Sequence, residues 1–415
     1  VLTPPKLPAI ARLGNRIGGL ATRIGLPVLP LDEERLLEQA SRAAGENDSG
    51  PDTFREGLRK FIAALESDAH LSTLGRLIAR KDIGMTLENR LGVLAWHKRH
   101  PEISRQEIRR PIVIIGMART GTTILHHLIT QDPNVRVPLT WEVDRPCPPP
   151  ESATYDADPR IDEVERTLAR SESLIPDFRR MHPMGARLAQ ECVRITSLEF
   201  ASMLFQTVYR VPSYARWLHD EADLGPAYRI HRQMLQLLQW RCPRGRWVLK
   251  SPGHLWSLPA LLAEYPDACL VATHRDPLKV LSSVTSLTTT LRAMASERID
   301  PGDIAREWSY WNARAFDAAV AARESGLVKP EQVIDVQFGE LLSEPIEVIR
   351  KIYDKFGLEL TEVAAERMQR HLAENPDDKH GKHGHSFADT GLDREMERAK
   401  VRRYQEYFGV ESERL

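Results

Sequence analysis

A parallel α/β sheet flanked by helices, preceded by a helical N-terminal region, is the fold class that the sequence predicts, and three observations predict it. Four short apolar runs at Pro111–Ile115, Trp247–Leu249, Cys269–Thr273 and Val333–Val336 have the length of strands, and each is followed by a helical pattern. The first run leads into Gly116 and Gly121, a glycine-framed turn that opens a helix. Before the first run, apolar residues recur only at helical spacing.

Taken in order, residues 1–30 scatter basic and apolar residues without the continuous apolar core of a secretory signal. A lipid-facing amphipathic segment with weak membrane-surface contact is one reading; an N-terminal arm packed on the main domain is the one expected. "DEERLLEQASRAA" and "FREGLRKFIAALE" then predict two helices separated by the turn-rich "GENDSGPDT". Residues 1–108 therefore form a helical N-terminal region and 109–415 the main domain. Between the first two strands lies a long insert containing "RPCPPPES", which cannot be helical. It continues into "PAYRIHRQMLQLLQW", whose Ile230, Met234, Leu237 and Leu238 make one helical stripe. After the fourth strand, Ser343 is expected to cap a helix entered through Pro345 and stopped by Gly357. "NPDDKHGKHGHSF" reads as a loop.

A net charge of −1 over 415 residues, with 28% charged and 42% hydrophobic residues, excludes a polycationic nucleic-acid binder. No run approaches the roughly 18 apolar residues of a membrane span. Cys147, Cys192, Cys242 and Cys269 lie far apart, which suggests neither a zinc site nor a disulfide framework and fits a reduced cytoplasm.

The chemistry lies in "IVIIGMARTGTTILHHL". Glycines with four residues between them after a strand let successive N–H groups and a helix start converge on one anion, so the sheet is expected to be P-loop NTPase-like. A nucleoside triphosphatase would carry Lys where Thr122 stands. Without that Lys, Arg119, Thr120, Gly121, Thr122 and Thr123 suit a less highly charged 5′ group than a triphosphate with its magnesium. A second anion site is expected after the third strand. There Arg275 precedes a helix started by Asp276-Pro277, and Ser283 falls about two turns into that helix.

These residues resemble the PAPS-dependent sulfotransferases, most closely their bacterial and tyrosylprotein-like branch. "ARTGTT" resembles the family's 5′-phosphosulfate loop, and Arg275 with Ser283 its pair on the 3′-phosphate of 3′-phosphoadenosine-5′-phosphosulfate (PAPS). "VLKSPGHL" is similar to the segment carrying its Lys near the transferring group, and "IDVQFGELLSEPIEVIRKIYDKFGL" to its late strand and helix. The resemblance spans roughly residues 109–400. Two departures concern adenine: Ile124 stands where cytosolic members have Trp, and Phe338 where the late motif has Tyr.

The resemblance implies sulfuryl transfer from PAPS to a hydroxyl of a small-molecule, glycan or lipid acceptor, with no metal. Such transfer needs a base for the acceptor proton, in-line placement and cations on the departing phosphate. Arg119 and Lys250 are the expected cations. Glu142, 21 residues after Gly121, and His254 of "KSPGH" are alternative bases, with Glu142 preferred. A lid over the 3′-phosphate is expected from Lys379, His380, Lys382, His383 and His385, with Lys382 as its donor-binding residue. A nucleotide kinase and a non-enzymatic scaffold with a vestigial nucleotide fold are the rival readings. Neither the acceptor nor the oligomeric state is legible.

Overall fold

The computed structural model describes residues 2, 4–5, 7–24, 29–172, 184–375 and 386–415. Five parallel strands, β1 (Ile112–Ile115), β2 (Val135–Arg136), β3 (Arg246–Lys250), β4 (Cys269–His274) and β5 (Val333–Gln337), form one sheet in the order β2-β3-β1-β4-β5. Four of them are the expected runs. β2 is the addition, and two residues are too short to leave a periodic signal. Strands β1 and β4 are buried throughout, as continuous apolar runs must be when helices cover both faces. Ile114 of β1 lies level with Lys250 on one side and Val271 on the other. The carboxyl ends of β3, β1 and β4 therefore sit side by side, with the crossovers departing in opposite directions on either side of β1, where such sheets bind ligands.

The N-terminal region is helical as expected: α1 (Ala9–Arg23), α2 (Glu33–Ala44), α3 (Thr53–Ser67) and α4 (Thr73–Arg99). Asp32 caps α2 through the Arg35 N–H at 2.9 Å, and Gly45 ends it at φ 67°. Leu36, Phe54, Phe61 and Ile83 share one core with Phe205, Tyr214, Trp308 and Phe316 of the main chain, so this region packs into the molecule rather than beside it. Its α1 packs as an arm on α4, but a line of apolar side chains on it faces outward.

Two helices matter for the site. α5 (Thr122–Ile129) follows the glycine turn, and α6 (Thr140–Asp144) follows β2. After β5 the chain makes a short helix Phe338–Ser343 and then Pro345–Phe356, stopped by Gly357 at φ 63°. Ser343 does not cap the second helix. Its hydroxyl turns back to the Glu340 carbonyl, and Glu344 holds the cap position without a side-chain bond. Among the described residues no helix is long and apolar enough to cross a membrane.

Candidate active site

Three adjacent strand ends deliver the polar side chains. β1 runs into Gly116 at φ 148°, where a Cβ would stand 2.3 Å from Thr273 Oγ1. Thr120 closes the turn beneath, donating to the Met117 carbonyl at 2.7 Å and meeting Thr273 Oγ1 at 2.6 Å. Gly121, at φ 91°, is the cap of α5 and brings no side chain to its first N–H groups. Those donors have no partner within the helix and suit an anion.

Arg119 holds φ 72°, a left-handed conformation that costs a non-glycine residue about 1 kcal/mol or more. Its Nε donates to Ser283 Oγ at 3.0 Å. Arg275, directly after β4, donates from Nη1 to the Arg119 carbonyl at 3.1 Å and lies 3.8 Å over the Phe338 ring. Ser283 and Arg275, the residues of the expected second anion site, thus both bond to Arg119. Burial, with Arg275 nearby, pushes the Arg119 pKa down. Arg275 already holds an anion: the Glu413 carboxylate accepts from its Nε and Nη2 at 2.8 and 3.0 Å.

Beside the loop opens a cavity of about 310 Å³. Arg119, Thr122, Thr123 and Glu191 make its polar end, while Leu168, Leu188, Met203, Leu204, Val208, Leu287 and Leu291 line its walls. Lys250, buried at the end of β3, donates to Thr123 Oγ1 at 3.4 Å and to the Glu191 carboxylate. Backbone bonds place Glu191. Thr140 donates to Leu188 at 2.9 Å, Trp141 to Ala186 at 3.0 Å and Gln190 to Pro138 at 2.8 Å, tying that segment across the start of α6. A second carboxylate on the cavity, Asp144, accepts from Arg194 at 3.2 Å.

Both expected bases lie elsewhere. Glu142 is fully buried, with one oxygen on Arg136 Nη2 at 2.7 Å and the other on the Leu139 N–H at 2.9 Å. Thr140 and Asp144 of the same helix line the cavity, and a residue midway between an i, i+4 pair points away from it. Arg145, three residues on, binds Glu163 at 2.8 Å. His254 is buried in a separate small cavity, with its Nδ1 hydrogen-bonded to Tyr228 Oη at 2.7 Å. Burial, and to a smaller extent His231, hold it neutral. Lys382, with Lys379, His380, His383 and His385, lies outside the described residues. Glu191 was missed because "AQECVR" matches no motif, and only the folded insert brings it to Lys250. Among the described residues no group of three or more His, Cys, Asp or Glu could hold a metal ion.

A model described as the sulfotransferase family matches residues 111–362. The omega-hydroxy-beta-dihydromenaquinone-9 sulfotransferase Stf3 of Mycobacterium bovis is 26% identical over 284 residues, covering 65% of this chain and 68% of its own length; that of Mycobacterium tuberculosis gives the same figures. Among solved structures, sulfotransferase STF1 of Mycobacterium tuberculosis is 30% identical with a TM-score of 0.80, over 90% of this chain and 99% of its own. STF9 of Mycobacterium avium is 28% identical with a TM-score of 0.83, over 91% and 97%.

Proposed function

The chain belongs to the sulfotransferase family, and from that premise we propose that it moves a sulfuryl group from PAPS to the hydroxyl of an apolar, lipid-like acceptor. The observation that carries this reading is the apolar cavity that ends on Thr122, Thr123 and Glu191. A glycan would need polar walls. The names of the mycobacterial Stf3 relatives, sulfotransferases of a menaquinone derivative, support the same acceptor class.

The residues present fit the donor. The uncapped start of α5 with Arg119, Thr120, Gly121, Thr122 and Thr123 would hold the 5′-phosphosulfate, and Arg275 and Ser283 the 3′-phosphate. Glu413 on Arg275 supports that assignment, because its carboxylate puts an oxyanion on the guanidinium where a phosphate would compete for it. Lys382, which lies outside the described residues, would add a further cation.

In the proposed step the acceptor oxygen forms a bond to sulfur while the bond from sulfur to the 5′-phosphate oxygen breaks, releasing adenosine 3′,5′-bisphosphate. Glu191, in place of Glu142 or His254, takes the acceptor proton. Lys250, between Glu191 and Thr123, neutralises charge on the departing phosphate oxygen, aided by Arg119. A cytoplasmic location belongs to this reading, and the free thiols of all four cysteines support it. The test is transfer from labelled PAPS to a panel of long-chain alcohols, quinols and sugars. Turnover of apolar alcohols above sugars is expected, and the reverse order would remove the lipid-like acceptor.

A further inference from the structure

α1 packs by the wrong face for a globular protein. Its contact side is small and polar: Asn15 Oδ1 accepts from the Leu74 N–H at 2.8 Å, and Gly18 is buried so closely on α4 that a Cβ would stand 1.9 Å from Thr73 Oγ1. The large apolar residues face outward instead, with Ile10 81%, Leu13 58%, Ile17 61%, Leu20 60% and Ile24 76% exposed. Their three- and four-residue spacing draws one stripe along the helix. At 100° per residue Asn15 and Gly18 fall on roughly the opposite side.

Charge identifies what covers the stripe. Residues 1–31 contain no Asp or Glu and four basic residues, Lys6, Arg12, Arg16 and Arg23. Arg12 and Arg16 are exposed and flank the stripe on one side. An outward apolar stripe flanked on one side by cations, in a segment without a carboxylate, matches the interface of a bilayer with anionic headgroups, where the apolar residues enter the acyl boundary and the guanidiniums meet phosphate. A second copy of the chain would bring the same cations against each other. We infer that α1 is a surface-docking helix that seats the enzyme on an anionic lipid bilayer. The inference stands apart from the nature of the acceptor, because it uses no residue of the cavity.

The test is sedimentation of the full chain with vesicles of mixed phosphatidylglycerol and phosphatidylcholine, or of phosphatidylcholine alone. Binding to the anionic vesicles is expected, weakening as salt rises. A Leu13→Asp, Ile17→Asp double variant should lower the partition roughly ten-fold or more, and Arg12→Glu, Arg16→Glu should do likewise. All these positions are exposed, so thermal melting should stay unchanged and show that the variants fold. Wild-type protein left in the supernatant, or variants sedimenting like wild type, would overturn the inference. Sedimentation equilibrium is the second arm: a dimer that the same substitutions dissociate, without vesicle binding, would assign the stripe to self-association and likewise overturn it.

Discussion

Glu191 and Glu142 carry the same carboxylate and are expected to fail in opposite ways. Glu191 stands on the cavity against Lys250, so Glu191→Gln should leave adenosine 3′,5′-bisphosphate affinity nearly intact while turnover falls by roughly 10²- to 10⁴-fold. Asp144→Asn, which loosens Arg194 only, should cost far less. Turnover near wild type in Glu191→Gln would remove it as the base. Glu142 is bonded on both oxygens inside the protein, and removing one partner of a buried ion pair costs about 3 to 5 kcal/mol. Glu142→Gln should therefore lower the urea midpoint of unfolding, while the protein that remains folded turns over normally. The loop residues and Arg275 were legible because glycine frames and strand-end arginines leave local patterns. The base was not, because which side of α6 faces the cavity, and where Glu191 lands, depend on the folding of an insert more than 100 residues long.

At the scale of elements, the carboxyl ends of β1, β3 and β4 were readable from their apolar runs, and with them the places of Arg119, Lys250 and Arg275. What no pattern announced is that the chain's last residues return to this edge. Arg398 from the helix Arg394–Phe408 donates to Asp276 at 2.7 Å, the Glu413 N–H donates to the same carboxylate at 2.7 Å, and Glu413 itself occupies Arg275. A carboxylate on the guanidinium competes with a phosphate. Glu413→Gln should therefore tighten adenosine 3′,5′-bisphosphate binding, by up to about five-fold for a partly exposed pair. Arg275→Ala should weaken it ten-fold or more, since a charge-assisted bond contributes on the order of 1.5 to 3 kcal/mol. Calorimetric titration of both variants checks the pair, and equal affinities in the two would disprove the competition.

For the molecule as a whole, buried neutral histidines contribute to the loss of stability in acid. Burial lowers the pKa of His219 to about 4 and of His231 to about 3, while each returns to about 6.5 on unfolding. Between those values the unfolded chain binds more protons than the folded one. The stabilising contribution is thus complete above about pH 6.5 and is lost as pH falls toward 4, on the order of 1 kcal/mol per pH unit per histidine. Urea unfolding at pH 7 and pH 5 should show the drop, and equal stabilities would mean these rings are protonated in the folded protein. The central claim, a donor site built for phosphates at the 5′ and 3′ ends of one adenosine, is tested most directly by calorimetric titration with adenosine 3′,5′-bisphosphate, 5′-AMP and magnesium ATP, each with and without EDTA where no metal is added. The bisphosphate should bind at least about ten-fold tighter than 5′-AMP and be indifferent to EDTA, whereas equal binding of the two, or tighter binding of magnesium ATP, would contradict it.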